Sequence, residues 1–367
     1  MPSYGENMTR TVLLTLVLSL LMVPKTAHAE PEQNTFTIGF IGSFSGPAQI
    51  YGEAARNGLE LARSQLAHPA FDVIYEDDAF EPKKTVAAFK KLVDIDHVDA
   101  IVTVGSTPSN AVAPLAELRK VPLLAWASDK RVSHGRQFVV RTYPSGHSEG
   151  EALAREAVRR GLKRIALITS LNDYAHSWRT GVADTLSAGG TIALDEETQP
   201  EVKDFRPLLL RAQQRKVDGY LVCLDPGQNG LFARQLSEFG IERNRLGGCE
   251  YLHDKKENEV ASGALTGAWF VTIHIEDDFR KAYIERFGND SVLSGAACYH
   301  DVALLVQKAL TEGRETRSFI EQLRTVGAIS GAVGTVQVSE APDDRWMEMP
   351  LEVREVSETG SKLVAKA

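Results

Sequence analysis

Apolar positions along this chain follow two alternating rhythms. Residues 35–42 carry Phe36, Ile38, Phe40 and Ile41 in a short run bounded by a polar turn, the mark of a buried strand. Ala55, Leu59, Ala62 and Leu66 then recur at helical spacing. The pattern repeats: a strand over 71–76, a helix opened by Glu81-Pro82 with Val86, Phe89 and Val93, and a strand at Ile101, Val102 and Val104. Gly105 ends that strand, and Ser106 to Asn110 crowd hydroxyls and an amide onto the start of a helix continued by Ala111, Leu115 and Leu118. Strands over 122–125 and 138–142 close the first series. After the break Tyr143-Pro144-Ser145-Gly146 the alternation restarts. Helices over 149–160, 177–188, 205–215 and 231–239 separate strands over 164–169, 191–194, 218–224 and 245–250. A strand over 268–273, three helices (277–287, 295–310 and 317–326) and a β-rich end at 334–338 and 347–356 complete the chain.

Strands alternating with helices predict an α/β fold with parallel sheets covered on both faces. About nine strands in two runs predict two Rossmann-like, doubly wound lobes. The chain crosses between them more than once, because the helices and strands after Ile273 must be shared out. The boundaries expected are 30–146 plus 274–330 for the first lobe and 147–273 plus 331–367 for the second. A cleft between such lobes is a small-molecule site closed by hinge bending. Trp126, Ala127, Ser128 and Asp129 end one strand beside the helix start at Ser106, so two strand ends and a helix N-terminus converge. That geometry favours a carboxylate or similar anion, although Ser106 to Asn110 would equally cap the helix.

Composition narrows the partners. With 43% hydrophobic and 25% charged residues the chain is globular, and a formal charge of −8 argues against nucleic acid or an anionic membrane surface. Residues 1–29 read as a secretory signal peptide: Met8-Thr9-Arg10, an apolar run over 12–23, then Ala27-His28-Ala29 before Glu30. Cleavage there leaves 39 basic and 48 acidic residues, a net −9. No cysteine follows the apolar run, so an exported protein without a lipid anchor is expected. Cys223, Cys249 and Cys298 show neither a disulfide framework nor a metal spacing. Cys223 and Cys249 end predicted strands, which leaves one bridge conceivable, but small buried thiols suit them better.

Catalytic motifs are absent. Gly42-Ser43-Phe44-Ser45-Gly46 mimics a nucleophile elbow but has phenylalanine at its centre. No phosphate-loop lysine motif, G-x-G-x-x-G or H-E-x-x-H occurs, and His147-Ser148-Glu149 lacks the cysteines of a zinc deaminase. No cofactor, metal or enzymatic activity is expected.

The opening Phe36-Thr37-Ile38-Gly39-Phe40-Ile41-Gly42-Ser43-Phe44-Ser45-Gly46-Pro47, with Tyr51-Gly52 and Gly58-Leu59-Glu60-Leu61-Ala62 beyond it, is similar to that of type I periplasmic solute-binding proteins of the leucine/isoleucine/valine-binding family, receptors of ABC importers. Tyr75-Glu76-Asp77-Asp78 with Pro82, Gly105-Ser106 and Val121-Pro122-Leu123 resemble further segments of that family. The resemblance runs from about Phe36 to Val356. It implies two lobes joined by three crossovers with the ligand between them. It implies that Ser106 binds a ligand carboxylate, Ala127 offers backbone groups, Tyr51 and Tyr174 are cleft tyrosines, Asp225 is a cleft residue and Glu250 pairs with a ligand amino group. Asp129 stands where amino-acid binders carry threonine, a departure that favours some solute other than a simple leucine. Read from the residues alone, Asp129 could instead cap or pair with Lys130 or Arg131, and Asp225 could be a turn residue. Trp126 and Tyr299 are further wall candidates.

Three readings follow. The first is a monomeric periplasmic receptor that captures an amino-bearing small molecule and delivers it to an ABC permease in the membrane. The second is a ligand-sensing subunit for a membrane kinase or amide-responsive regulator on the same fold. The third, an α/β hydrolase, lacks a nucleophile with a base.

Overall fold

The computed structural model describes residues 35–312, 318–339, 341, 343–358 and 360–367; the signal-peptide expectation on 1–29 lies outside the described residues. The first sheet holds β1 (Phe36–Gly42), β2 (Phe71–Asp77), β3 (Ala100–Val104), β4 (Leu123–Trp126) and β5 (Val139–Arg141). They are parallel, in the order β2-β1-β3-β4-β5. Between them run α1 (Gln49–Gln65), α2 (Pro82–Asp94) and α3 (Ser106–Arg119), and α4 (Gly146–Arg159) begins the second lobe. There β6 (Arg164–Ser170), α5 (Asp173–Leu186), β7 (Thr191–Thr198), α6 (Arg206–Gln214), β8 (Gly219–Cys223), α7 (Gln228–Glu238), β9 (Leu246–Gly248), α8 (Lys255–Ala261) and β10 (Trp269–Ile273) follow in turn. The chain returns through α9 (Asp277–Phe287), α10 (Leu293–Glu312), α11 (Phe319–Thr325) and the short strands β11 (Ile329–Gly331), β12 (Gly334–Val338) and β13 (Met347–Glu348). It ends in β14 (Leu351–Ser357) and β15 (Gly360–Lys366). The second sheet runs β15-β14-β10-β9-β8-β6-β7, parallel except for the antiparallel β14 and β15.

Period-two patterning explains why each sheet is covered on both faces. In β4, Leu124 and Trp126 join a core with α1 and α10, while Leu123 and Ala125 face α2 and α3. The second sheet likewise separates a core under α4 and α5 from one under α6 and α7. Where α1 crosses α10 the backbones touch: a Cβ at Gly58 would lie 1.9 Å from the Ala296 carbonyl oxygen.

The sequence assigns 331–367 to the second lobe, and the structure divides that stretch. Val333, Val336, Val338 and Met347 bury themselves in the first lobe's core with α10, and Trp346 bridges to Arg141 of β5. Only the segment from Leu351 onward joins the second sheet. The apolar residues of 333–347 fill a gap beside α10 that no sequence period reveals. The chain therefore crosses three times, near 143–146, 273–277 and 348–351. Fifteen strands are present among the described residues, where twelve strand segments are predicted. The shortfall lies in two- and three-residue strands and in β15, an edge strand whose polar face hides its alternation. All three cysteines are buried and free, the small-thiol reading.

Candidate functional site

Strand ends from both lobes meet around a cavity of about 450 Å³. Its first-lobe rim is built by Asp77 and Asp78. The Asp77 Oδ1 accepts the N–H groups of Phe44 (2.8 Å) and Ala79 (2.9 Å), and the Asp78 carboxylate accepts from Phe80 N–H (2.8 Å) and Thr85 Oγ1 (2.9 Å). These bonds hold Ala79 and Phe80 in the left-handed region, φ 48° and 61°, which costs a non-glycine residue about 1 kcal/mol or more. Phe80 is thereby turned over Gly105, whose φ of +94° and lack of a side chain are both required: a Cβ there would approach the Phe80 ring to 2.5 Å. Ser106 opens α3 directly after that glycine. Its Oγ accepts the N–H groups of Ser128 (3.0 Å) and Asp129 (3.2 Å), joining the end of β4 to the start of α3. With two N–H groups already received, the Ser106 hydroxyl is disposed to donate its own proton toward the cavity.

The second lobe supplies carboxylates. Asn172 caps α5, accepting from Ala175 N–H (2.9 Å), and its amide donates to Asp225 Oδ1 (3.1 Å). Glu250 follows β9 and receives the Tyr143 hydroxyl at 3.0 Å and Thr272 Oγ1 at 3.4 Å. Burial raises the carboxyls of Glu250 and Asp225 above the ordinary range. Glu149, in the first turn of α4, is 1% exposed and is raised further, by burial first and then by the charge of Glu250. Among the described residues, no lysine, arginine or histidine lines the cavity.

Aromatic rings form the remaining wall. Tyr251 of the second lobe bridges Tyr51 of the first (centroids 5.4 Å apart) and Tyr174 (5.6 Å), and Trp126 stands edge-on to Tyr143 at 6.0 Å. The hydroxyl of Tyr51 is buried without a hydrogen-bond partner among the described residues. Outside the cavity lining a polar tie spans the lobes between α3 and α5. Arg131 Nη2 lies 2.7 Å from Asp173 Oδ1, and the Asn110 amide donates to Asp129 Oδ2 (2.8 Å) and Asp173 Oδ2 (3.2 Å).

Of the residues singled out by sequence, Ser106, Tyr51, Tyr174, Asp225 and Glu250 line this one cavity. Ala127 and Asp129 do not. Ala127 packs in the core beneath α2 and α3. Asp129 is bound by Arg131 through both oxygens and caps the short helical turn Lys130–Val132. Burial opposes its ionisation, but the bonds from Arg131 and Asn110 outweigh that and hold its carboxyl below the ordinary range. The capping-and-pairing alternative describes Asp129 correctly. Trp126 lines the cavity, whereas Tyr299 lies behind it, its hydroxyl donating to the Thr103 carbonyl. Sequence reasoning missed Phe80, Tyr143, Tyr251 and Glu149. A signal existed for the last: Glu149, Leu153 and Ala157 share one face of α4, so a carboxylate occupies an apolar stripe.

A family model described as periplasmic binding protein matches residues 35–361. The chain is 30% identical over 253 residues to the Leu/Ile/Val-binding protein BraC3 of Rhizobium johnstonii, covering 65% of this chain and 66% of that one. Its fold is similar to that of a leucine-binding protein LivK from Thermotoga maritima, with a TM-score of 0.80, 21% identity and coverage of 90% and 98%. It is also similar to that of a Rhodopseudomonas palustris solute-binding protein solved with benzoate, with a TM-score of 0.79, 19% identity and coverage of 90% and 96%.

Proposed function

Because this chain belongs to the periplasmic binding protein family, of the branched-chain amino acid type, we propose that it is an extracytoplasmic receptor that closes its lobes around an amino acid or a related amino- or amide-bearing molecule. It works as a monomer in the periplasm, without catalysis, and presents the loaded, closed form to an ABC permease. The observation that carries this reading is the polarity of the cavity. Ser106, with the N–H groups that open α3, offers donors to a carboxylate from one lobe. Glu250 offers from the other a buried acid bonded to the Tyr143 and Thr272 hydroxyls, with no cationic partner among the described residues. A zwitterion satisfies both ends.

The relatives leave the solute open, since BraC3 and LivK are named for branched-chain amino acids and the R. palustris protein holds benzoate. The aromatic wall would suit a ring. A purely anionic solute would nonetheless face Glu250 and Asp225 without compensation, which costs several kcal/mol. Discrimination between solutes follows from the same burial, because a solute lacking one charged end leaves a buried group unpaired.

The test is a thermal-shift screen of residues 30–367, refolded to strip carried-over solute, against amino acids, amides, polyamines and small carboxylates. A solute present at a hundred times its Kd stabilises by about 2.7 kcal/mol. Amino-bearing hits that disappear in Glu250→Ala and Ser106→Ala are expected. Hits confined to carboxylates without an amino group would overturn the role of Glu250.

A further inference from the structure

Asp225 is the acid of the cavity that a simple zwitterion leaves without a cation. Glu250 and Asp225 both line the cavity, and they follow neighbouring parallel strands, β9 and β8, paired at Gly248 and Val222. One strand interval, about 4.8 Å, separates those strands. Glu250 lies on the hinge side: it accepts from Tyr143 of the first crossover and from Thr272 of β10, the strand that leads into the second crossover. Asp225 lies away from the hinge, where Asn172 follows β6 and donates to its Oδ1 at 3.1 Å. The groups that act on Asp225 are Ser170, Asn172 and Glu201, none of them a cation. Beyond it the lining continues to Pro200, after the edge strand β7, and to Phe80, after the edge strand β2 of the other sheet. The second-lobe wall therefore crosses the ends of β9, β8, β6 and β7, a trough roughly 14 Å long at that strand spacing.

Charge complementarity sets what fills such a trough. The α-carboxylate of a zwitterion meets the Ser106 hydroxyl and the N–H groups that open α3, and its α-ammonium meets Glu250. Asp225 then keeps a negative charge that lobe closure carries further from water, and a buried charge without a partner is strongly unfavourable. A second ammonium supplies the missing cation together with three N–H donors. A four-carbon stem bridges one strand interval, and its methylenes suit the apolar surface offered by Phe80, Pro200 and Pro226. The cavity wall holds one more acceptor to be filled: Tyr51 is 6% exposed, and its hydroxyl has no hydrogen-bond partner among the described residues.

We propose that Asp225 is the specificity residue for a distal amino group, so that the solute is a diamino acid: its α-carbon groups bridge Ser106 and Glu250, and the ammonium at the end of its side chain pairs with Asp225. This rests on the receptor reading above and specifies its solute class.

The test compares L-lysine with L-norleucine, which has the same carbon side chain and lacks the terminal amino group, with L-leucine as a third probe. Titration calorimetry on wild type and Asp225→Asn reads the affinity for each. L-Lysine is expected to bind wild type roughly tenfold or more tighter than L-norleucine, and in Asp225→Asn that ratio should fall below about threefold. Binding of L-norleucine or L-leucine as tightly as L-lysine, or tighter, means that the apolar wall selects the side chain; it overturns the diamino acid assignment and leaves the receptor reading standing. Failure of all three probes takes both down. A ratio that persists in Asp225→Asn, with or without a loss common to both solutes, overturns the assignment too, because the acid then only holds Asn172 at the start of α5. If that variant does not fold, the wild-type ratio decides, together with the fall from low to high salt that a charge pair requires of it.

Discussion

The polar tie between α3 and α5 is one of the contacts that hold the two lobes together. Asp173 opens α5 in the second lobe, and its carboxylate is gripped by Arg131 and Asn110 of the first. Asp173→Ala removes both contacts. The side chains of Arg131 and Asp173 are 61% and 31% exposed, so screening limits that ion pair to about 0.5 kcal/mol. The half-buried Asn110 bond to a carboxylate adds about 1 kcal/mol. Together they favour the closed form by about 1.5 kcal/mol, roughly a tenfold shift in the ratio of closed to open molecules. Asp173 also meets the N-terminal dipole of α5, but the helix persists in both forms and that contribution cancels. Arg131→Ala is a poorer probe, because it strips the buried Asp129 of its cation. Small-angle scattering of the solute-free protein should show a larger radius of gyration for Asp173→Ala. A bound solute should dissociate roughly tenfold faster, since closure holds it in. An unchanged scattering curve with a dissociation rate altered less than about twofold would refute the reasoning.

Other outcomes follow from the same structure. Gly58→Ala forces α1 away from the Ala296 carbonyl and should cost about 3 kcal/mol in urea unfolding; a loss below about 1 kcal/mol would show that the helices yield freely. Arg141 is 1% exposed, bonded to Asp344 (2.8 Å), Ser133 (2.7 Å) and the Tyr143 carbonyl (3.3 Å). Arg141→Ala should therefore cost about 3–5 kcal/mol, read from the same urea curves. Burial raises the Glu250 carboxyl, so the native protein keeps that proton at pH values where the unfolded chain, with glutamate near ~4.3, has lost it. Its contribution to stability is therefore full below that value and falls as pH rises toward the folded pKa. Glu250→Gln should gain on wild type as pH rises above about 4.3 in urea titrations, and a pH-independent difference would contradict a raised carboxyl.

The alternation of strand and helix was legible wherever a strand is buried on both faces, as at Ile101–Val102 and Leu221–Val222. Continuous apolar runs there admit one reading. In the β11–β13 sheet only β12 reads whole, over 334–338; β11 is missed and β13 merges with β14, because they are three and two residues long and their burial depends on α10 and on Trp346 reaching β5. At the site, residues tied to a strand end or helix start were legible, Ser106 and Glu250 among them. Asp129 was placed one layer too far forward. Its nearest competitor for the carboxylate, Arg131, is two residues away, and local pairing prevailed over a turn toward the cavity. Tyr251 and Phe80 were invisible, because loop backbone aims them. Phe80 in particular depends on a left-handed turn held by aspartates that sequence alone reads as part of a strand end.

That left-handed turn separates what the protein can change from what it must keep. The floor at Gly105 and Ser106 is made of backbone and one hydroxyl, locked into the joint between two strands, so altering it unseats the sheet. The overhang at Phe80 hangs from two aspartates that bond main chain, a serine and a threonine, and its ring enters no sheet pairing. Under the receptor reading proposed above, new solute preferences are within reach of single substitutions along the overhang, while the donors at Ser106 stay fixed by the sheet joint.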